Sequence, residues 1–124
     1  MYSKKVMRHF LHPKFSKKIK NYNAVGQFGN PRCGDIMKIY LNVEGGVVKN
    51  IFFETMGCAA AIACSDVMCE LAKGKKLNKA LKITHKDIIK QLGGLPLIKH
   101  HCSVLGMQAL RKAISNYKKT EYEK

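Results

Sequence analysis

The feature that most constrains the fold is a pair of strand-like segments joined by two glycines. Apolar residues occupy every second position at Met37, Ile39, Leu41 and Val43. This alternation is typical of a half-buried strand. Glu44-Gly45-Gly46 then provides a hairpin turn, because glycine adopts the positive φ that tight turns require. Val47 to Thr55 is the predicted return strand. With a short edge strand at Val25 to Asn30, residues 25–55 are predicted to form a small three-stranded antiparallel sheet.

The rest of the chain has helical signals. Residues 2–10 predict a short basic helix with Ser3 as its cap, and residues 14–23 predict a surface loop. After the sheet, helices are predicted at Ala59 to Lys73, where Gly74 ends the helix, at Leu77 to Leu81, and at His85 to Leu92. Because the strands precede most of the helices, the order indicates an α+β fold with several helices packed on the sheet.

The last helix follows Gly93-Gly94-Leu95-Pro96 and a pair of histidines. Apolar residues recur at three- and four-residue steps from Met107 to Tyr117, which predicts one buried helix face. Cys102 is expected at or just before the start of this helix, with Ser103 as a possible cap. Unpaired N–H groups at a helix start favour an anion, so we expect Cys102 to be biased toward the thiolate.

Length and cysteine content narrow the class of protein. The 124 residues suit one domain spanning 1–124. No stretch is apolar enough to predict a membrane span or an export signal, so a cytoplasmic location is expected. Thiols stay reduced in that compartment. The five cysteines therefore favour metal or sulfur chemistry over disulfides.

The net charge of +15 is large for a chain of this size, and residues 1–34 contain no Asp or Glu. Such an excess is compatible with nucleic acid, an acidic protein partner or solubility alone. The chain has no Trp and no recognisable nucleic-acid-binding motif, so nucleic-acid binding is not the favoured function.

Three cysteines fall at predicted junctions between elements. Cys33 lies in the turn that enters the hairpin, Cys58 between the last strand and the first long helix, and Cys102 at the start of the last helix. Asp35 and His101 lie beside two of them. Junctions at one end of a sheet can meet, and thiolates with a carboxylate or an imidazole suit a soft or borderline metal. The alternative is that these side chains serve packing and turns. Cys64 and Cys69 are expected to be ordinary core or helix-surface residues.

The chain resembles the U-type iron–sulfur cluster assembly scaffolds, namely IscU and the N-terminal domain of NifU. The segments that carry the resemblance occur in the family's order over nearly the whole chain. They are Tyr2-Ser3-Lys4-Lys5-Val6, Gly29-Asn30-Pro31-Arg32-Cys33-Gly34-Asp35, Thr55-Met56-Gly57-Cys58-Ala59-Ala60-Ala61-Ile62-Ala63, Gly74-Lys75, Gly93-Gly94-Leu95-Pro96 and Lys99-His100-His101-Cys102-Ser103.

The resemblance implies an α+β domain with its metal site at one end of the sheet. It places Cys33, Asp35, Cys58, His101 and Cys102 on the positions that bind a cluster or a zinc ion. It also implies a non-enzymatic role: sulfur is accepted from a cysteine desulfurase, combined with iron from an iron donor into a transient [2Fe–2S] cluster, and released to recipient apo-proteins. A dimer around a shared cluster is compatible with this role. Because Cys102 is expected at a helix start, which favours its thiolate, it is the predicted persulfide acceptor.

Two local differences from the family bear on partners and mechanism. The Leu95–Lys99 segment stands where bacterial relatives carry an Hsp70-type chaperone recognition sequence, but Leu97 replaces its second proline. The interval between Cys58 and Cys102 lacks the insertion that marks the SufU branch. The scaffold branch is therefore favoured, and a SufU-type zinc-binding sulfur acceptor is the alternative function.

Overall fold

The structure is a computed structural model that describes residues 2–30 and 35–122, with side chains over 2–29 and 36–119. Three strands form one antiparallel sheet in the order β1-β2-β3. They are β1 (Ala24–Asn30), β2 (Asp35–Glu44) and β3 (Val47–Met56). The predicted hairpin is confirmed, and Gly45 and Gly46 adopt φ values of 60° and 75° in its turn. Asp35 is the first residue of β2. Residues 31–34, with the turn predicted at Cys33, lie outside the described part.

The helices are α1 (Lys4–Leu11), α2 (Ala59–Ala72), α3 (Leu77–Ala80), α4 (His85–Gln91) and α5 (His100–Tyr122), with a 3₁₀ turn at Leu97–Lys99. The α+β class is confirmed, and so are the predicted helices to within a few residues. Within the described ranges, none of these helices has the length and apolarity needed to cross a membrane.

One face of the sheet carries the core. Met37, Ile39 and Leu41 of β2 lie beside Phe53 and Ile51 of β3, and all are buried. Helix α5 covers β1 and β2, and α2 packs between α5 and β3. The opposite face of the sheet carries a smaller aromatic group, in which the Tyr40 and Phe52 rings stack with centroids 4.2 Å apart.

Helix α5 lies directly on β1 because Gly26 has no side chain. A Cβ atom added to Gly26 would lie 2.2 Å from the Ala113 backbone nitrogen and 2.6 Å from the Ala109 carbonyl oxygen. These distances are far below a van der Waals contact, so the strand and the helix backbone approach each other only because this position is glycine. The contact fixes where α5, and therefore its first turn, sits against the sheet.

Helix α2 is fixed by a polar contact. The buried carboxylate of Asp66 accepts a hydrogen bond from His9 Nδ1 at 2.6 Å and from the backbone N–H groups of Lys14 and Phe15 at 2.8 and 3.0 Å. The Phe15 carbonyl oxygen in turn accepts from the Phe53 N–H group at 2.9 Å. The predicted surface loop is thereby tied to α2 and to the edge of β3.

Candidate functional site

The two described thiols of the predicted site lie at the starts of the two long helices. Cys58 is the residue that caps α2, two positions after β3 ends at Met56. Cys102 lies in the first turn of α5. The two side chains are close enough to interact, and a hydrogen bond with the Cys102 side chain helps to lower the pKa of Cys58.

The start of α5 differs from the prediction. The 3₁₀ turn at Leu97–Lys99 leads directly into a helix that begins at His100, so Cys102 lies inside the first turn and not before it. Ser103 is not a cap, because its hydroxyl donates to the His100 carbonyl oxygen at 2.6 Å. The physical reason is that Pro96 starts a helical turn that α5 continues, and the histidine pair is absorbed into it.

Cys58 is only partly buried, and several hydrogen-bond donors and one positive charge around it stabilise its thiolate. Burial raises the pKa of Cys58, but the N–H groups of Ala61 and Ala60, the ammonium of Lys99 and the Cys102 thiol together bring it below its ordinary value. Both N–H groups belong to the first turn of α2, where a helix start favours a negative charge. The pKa of Lys99 is raised, mainly by the Cys58 sulfur and then by Tyr2. Sequence reasoning missed this lysine, and its position three residues before Cys102 was the only available signal.

His101 is placed as metal-binding histidines usually are. Its Nδ1 lies 3.1 Å from the Ile98 carbonyl oxygen, and since a carbonyl only accepts, Nδ1 carries the proton. Nε2 is then the basic nitrogen, and it lies 3.6 Å from the Cys102 Sγ. A histidine that donates one N–H to a backbone carbonyl and directs the other nitrogen toward a thiol is oriented for a soft or borderline metal. His100 is used differently, because its Nε2 bonds to the Leu95 carbonyl oxygen at 2.9 Å.

The remaining two predicted ligands fall outside what is described. Cys33 and the side chain of Asp35 are not among the described residues. The backbone of Asp35 pairs with that of Asn30, and the next residue, Ile36, pairs with Met56 at the end of β3. The strand ends on either side of Cys33 therefore lie at the same end of the sheet as the approach to Cys58.

The site is only partly assembled by the described residues. Among the side chains of residues 2–29 and 36–119, no group of three or more from His, Cys, Asp or Glu is placed to hold a metal ion. The donors that are described are two adjacent sulfurs and one imidazole nitrogen, which is the chemistry that zinc and iron–sulfur centres use.

The other two described cysteines are core residues, as expected. Cys64 and Cys69 are fully buried in α2. Burial raises the pKa of the Cys64 thiol, and the Cys102 and Cys58 sulfurs raise it further. Cys64 therefore lies behind the pair of site thiols as a neutral group.

The chain is similar in sequence to known proteins over most of its length. The family model described as the NifU-like N terminal domain matches residues 1–124. The iron-sulfur cluster assembly scaffold protein IscU 1 of Archaeoglobus fulgidus is 50% identical over 117 residues, which cover 94% of this chain and 76% of the relative. The corresponding IscU of Aquifex aeolicus is 46% identical over 118 residues, covering 94% and 75%.

A solved structure has a similar fold. It is described as a putative iron-sulfur cluster assembly scaffold protein for the SUF system from Fervidobacterium islandicum, and it superposes with a TM-score of 0.73. It is 26% identical in sequence, and the match covers 91% of this chain and 96% of that one.

Proposed function

The chain belongs to the NifU-like N-terminal domain family, and on that premise we propose that residues 1–124 form a single scaffold domain on which iron–sulfur clusters are assembled. The observation that carries the proposal is the interaction between the Cys58 and Cys102 thiols beside the basic Nε2 of His101. The protein accepts and carries sulfur and iron as cargo and has no independent catalytic turnover.

The proposed ligands are Cys33, Cys58 and Cys102, with Asp35 or His101 in the remaining position. Ferredoxin-type clusters that stay in place use four thiolates. An oxygen or nitrogen donor is a harder ligand and holds an iron–sulfur cluster less firmly, which allows a [2Fe–2S] cluster to leave. On this basis, the variant Asp35→Ala loads a cluster but transfers it more slowly than the wild type.

Sulfur enters by a thiol exchange step. The Cys102 thiolate attacks the outer sulfur of a persulfide on a cysteine desulfurase, the sulfur–sulfur bond of that persulfide breaks, and the desulfurase cysteine leaves as a thiolate. Cys102 then carries the persulfide. Because Cys102 is fully buried while Cys58 is partly exposed, the step requires the first turn of α5 to open.

The proposed partners are the desulfurase, an iron donor and recipient apo-iron–sulfur proteins. The segment next to the thiols is suited to contacts with other proteins, because the Leu97 and Ile98 side chains are 83% and 80% exposed. Neighbouring apolar side chains this exposed are suited to contact with a partner protein. For an Hsp70-type chaperone the segment lacks the second proline, because Leu97 stands in its place.

The test is anaerobic reconstitution of the metal-stripped protein with iron, cysteine and a desulfurase. We expect sulfide-to-iron absorption bands in the wild type that transfer to an apo-ferredoxin. The bands should be lost in Cys33→Ala, Cys58→Ala and Cys102→Ala and kept in the control Cys69→Ala. A colourless protein that takes up one zinc ion and carries persulfide would replace the scaffold proposal with the SufU-type sulfur acceptor.

Mass spectrometry after incubation with desulfurase and cysteine locates the sulfur. Added sulfur on Cys102 is the expected result. Sulfur confined to Cys58 or Cys33 would contradict the assignment of the acceptor but not the scaffold.

A further inference from the structure

A cleft lies away from the thiols, between α1, the end of α2 and α4. Its volume is about 520 Å³. Three of its lining side chains are lysines, Lys5, Lys75 and Lys90, and its apolar part consists of Leu71 and the buried Ile83. Ser3 holds the α1 side in place, because its hydroxyl donates to the Leu92 carbonyl oxygen at 2.6 Å.

The charge around this cleft is strongly positive. Residues 73–90 contain seven lysines and one acidic residue, Asp87. The Asp87 carboxylate accepts the backbone N–H group of Thr84 at 2.9 Å in the capping box of α4. Among the described residues, no carboxylate forms an ion pair with any of the three cleft lysines. Asp87 also lines the cleft, but one carboxylate does not balance the three lysines. The lining keeps a net positive charge, so an anion bound here would be stabilised.

The cleft is separate from the proposed cluster site. Helix α2 starts beside Cys58, and Leu71 lies near its other end. At 1.5 Å per residue, the start of α2 and Leu71 are separated by about 18 Å along the helix axis. A ligand in the cleft therefore does not contact the thiols, and the inference does not rest on the proposed function.

We propose that this cleft binds an organic polyphosphate, that is, a small molecule that joins an apolar ring to two or more phosphate groups, such as a nucleoside di- or triphosphate. The volume lies in the range of small-molecule pockets. Lysine ammonium groups bind phosphate as point charges, and the Gln91 amide at the same wall adds a hydrogen-bond donor. Leu71 and Ile83 provide the apolar contact for a ring. A nucleic acid or an acidic protein needs a wide open face instead, and neither would use this apolar floor.

The test is calorimetric titration of the full chain with ATP, tripolyphosphate and adenosine, at about 150 mM salt so that weak surface binding is screened. EDTA is present so that metals do not contribute. The variant Lys5→Gln/Lys75→Gln/Lys90→Gln is compared with a control, Lys17→Gln/Lys20→Gln/Lys112→Gln, which removes the same charge from exposed positions outside the cleft. Circular dichroism checks that both variants are folded.

We expect ATP to bind more tightly than tripolyphosphate and adenosine, and the cleft variant to bind ATP at least about tenfold more weakly, with less than about twofold loss in the control. Leu71→Ala should weaken ATP but not tripolyphosphate. Equal losses in the two triple variants would overturn the cleft as the site. Tripolyphosphate binding as tight as ATP would overturn the organic ligand, and tighter competition by an acidic peptide or duplex DNA would overturn the small-molecule class.

The variant Cys58→Ser/Cys102→Ser separates ATP binding from cluster assembly. It should bind ATP as tightly as the wild type. Loss of ATP binding in that variant would contradict the separation of the two sites.

Discussion

Cys58 and Cys102 occupy similar positions in the chain but very different environments. Each lies at the start of a long helix, where the helix dipole favours a thiolate. Cys58 is partly exposed, and the N–H groups of α2 and Lys99 bring its pKa below the ordinary value in spite of burial. Cys102 is fully buried, with His101 Nε2 at 3.6 Å from its sulfur. A helix start alone therefore does not define a reactive thiol, because packing decides which sulfur a partner can reach.

The two helices that carry these thiols are also held in different ways. Helix α5 is held by backbone contact at Gly26, and α2 is held by the buried Asp66 carboxylate. A mutation can therefore displace one thiol relative to the other, which provides separate tests of the two supports.

The largest effect is expected from Gly26→Ala. Its Cβ would lie 2.2 Å from a backbone nitrogen of α5, so the helix must move away from β1. We expect a loss of at least about 3 kcal/mol in the free energy of unfolding. Urea unfolding followed by circular dichroism measures it.

The matched control for that variant is Gly106→Ala in α5 itself. The nearest atoms to its added Cβ are the Met37 Sδ at 3.4 Å and the Ile88 Cδ1 at 3.9 Å, which are ordinary contacts with flexible side chains. Because alanine favours a helix interior by about 1 kcal/mol over glycine, this variant should be no less stable than the wild type. Similar losses in both variants would show that α5 is not held by close approach at Gly26.

Asp66→Asn is expected to have the next largest effect. The carboxylate accepts from one imidazole and two backbone N–H groups, and an amide would place its own NH₂ group against one of these donors. Replacing the buried, charged acceptor of three hydrogen bonds by a neutral amide that cannot accept all of them should cost about 3 kcal/mol.

The control is Glu70→Gln, since Glu70 is 41% exposed on its side chain and lies 3.9 Å from His9 Nε2. Although His9 is buried, Glu70 is open to solvent and the contact is long, so this pair should contribute less than about 1 kcal/mol. Equal effects of the two substitutions in thermal unfolding would contradict the assignment of the anchor to Asp66.

These residues also show how far the sequence alone reaches. The hairpin and the helices follow from local patterns: alternation in β2, glycines with positive φ in the turn, and the Thr84–Asp87 capping box. Asp66 has no such signal, because it interrupts an apolar helix and its partners lie more than fifty residues away in the chain. The close approach at Gly26 is equally long-range, since a glycine within a strand pattern does not show which helix will cover it.

The candidate site was predicted in part for the same reason. Its thiols could be assigned to helix starts, because caps and breakers are local. The start of α5 was misplaced because the 3₁₀ turn at Leu97–Lys99 carries no distinct composition. The contact of Lys99 with Cys58 depends on how the two helix starts meet, and no pattern within either segment contains that information.

The smallest expected effect is on thiol reactivity, and it tests the opening comparison directly. In the metal-free protein, iodoacetamide should label Cys58 first and Cys102 much more slowly, because the sulfur of Cys102 is buried. Since the pKa of Cys58 is lowered, its labelling rate should rise at a lower pH than that of an ordinary cysteine.

Lys99→Gln removes the positive charge that helps to lower this pKa, so the profile of labelling rate against pH should move to higher pH. Labelling near pH 7 should therefore be slower than in the wild type, because less of the Cys58 thiol is ionised. Lys112→Gln, which removes a distant charge, should leave the profile unchanged. If Lys99→Gln has no effect while Cys58 still labels first, Lys99 does not set the reactivity of Cys58. If Cys102 labels first, the first turn of α5 opens readily, and the two thiols do not differ in accessibility in solution.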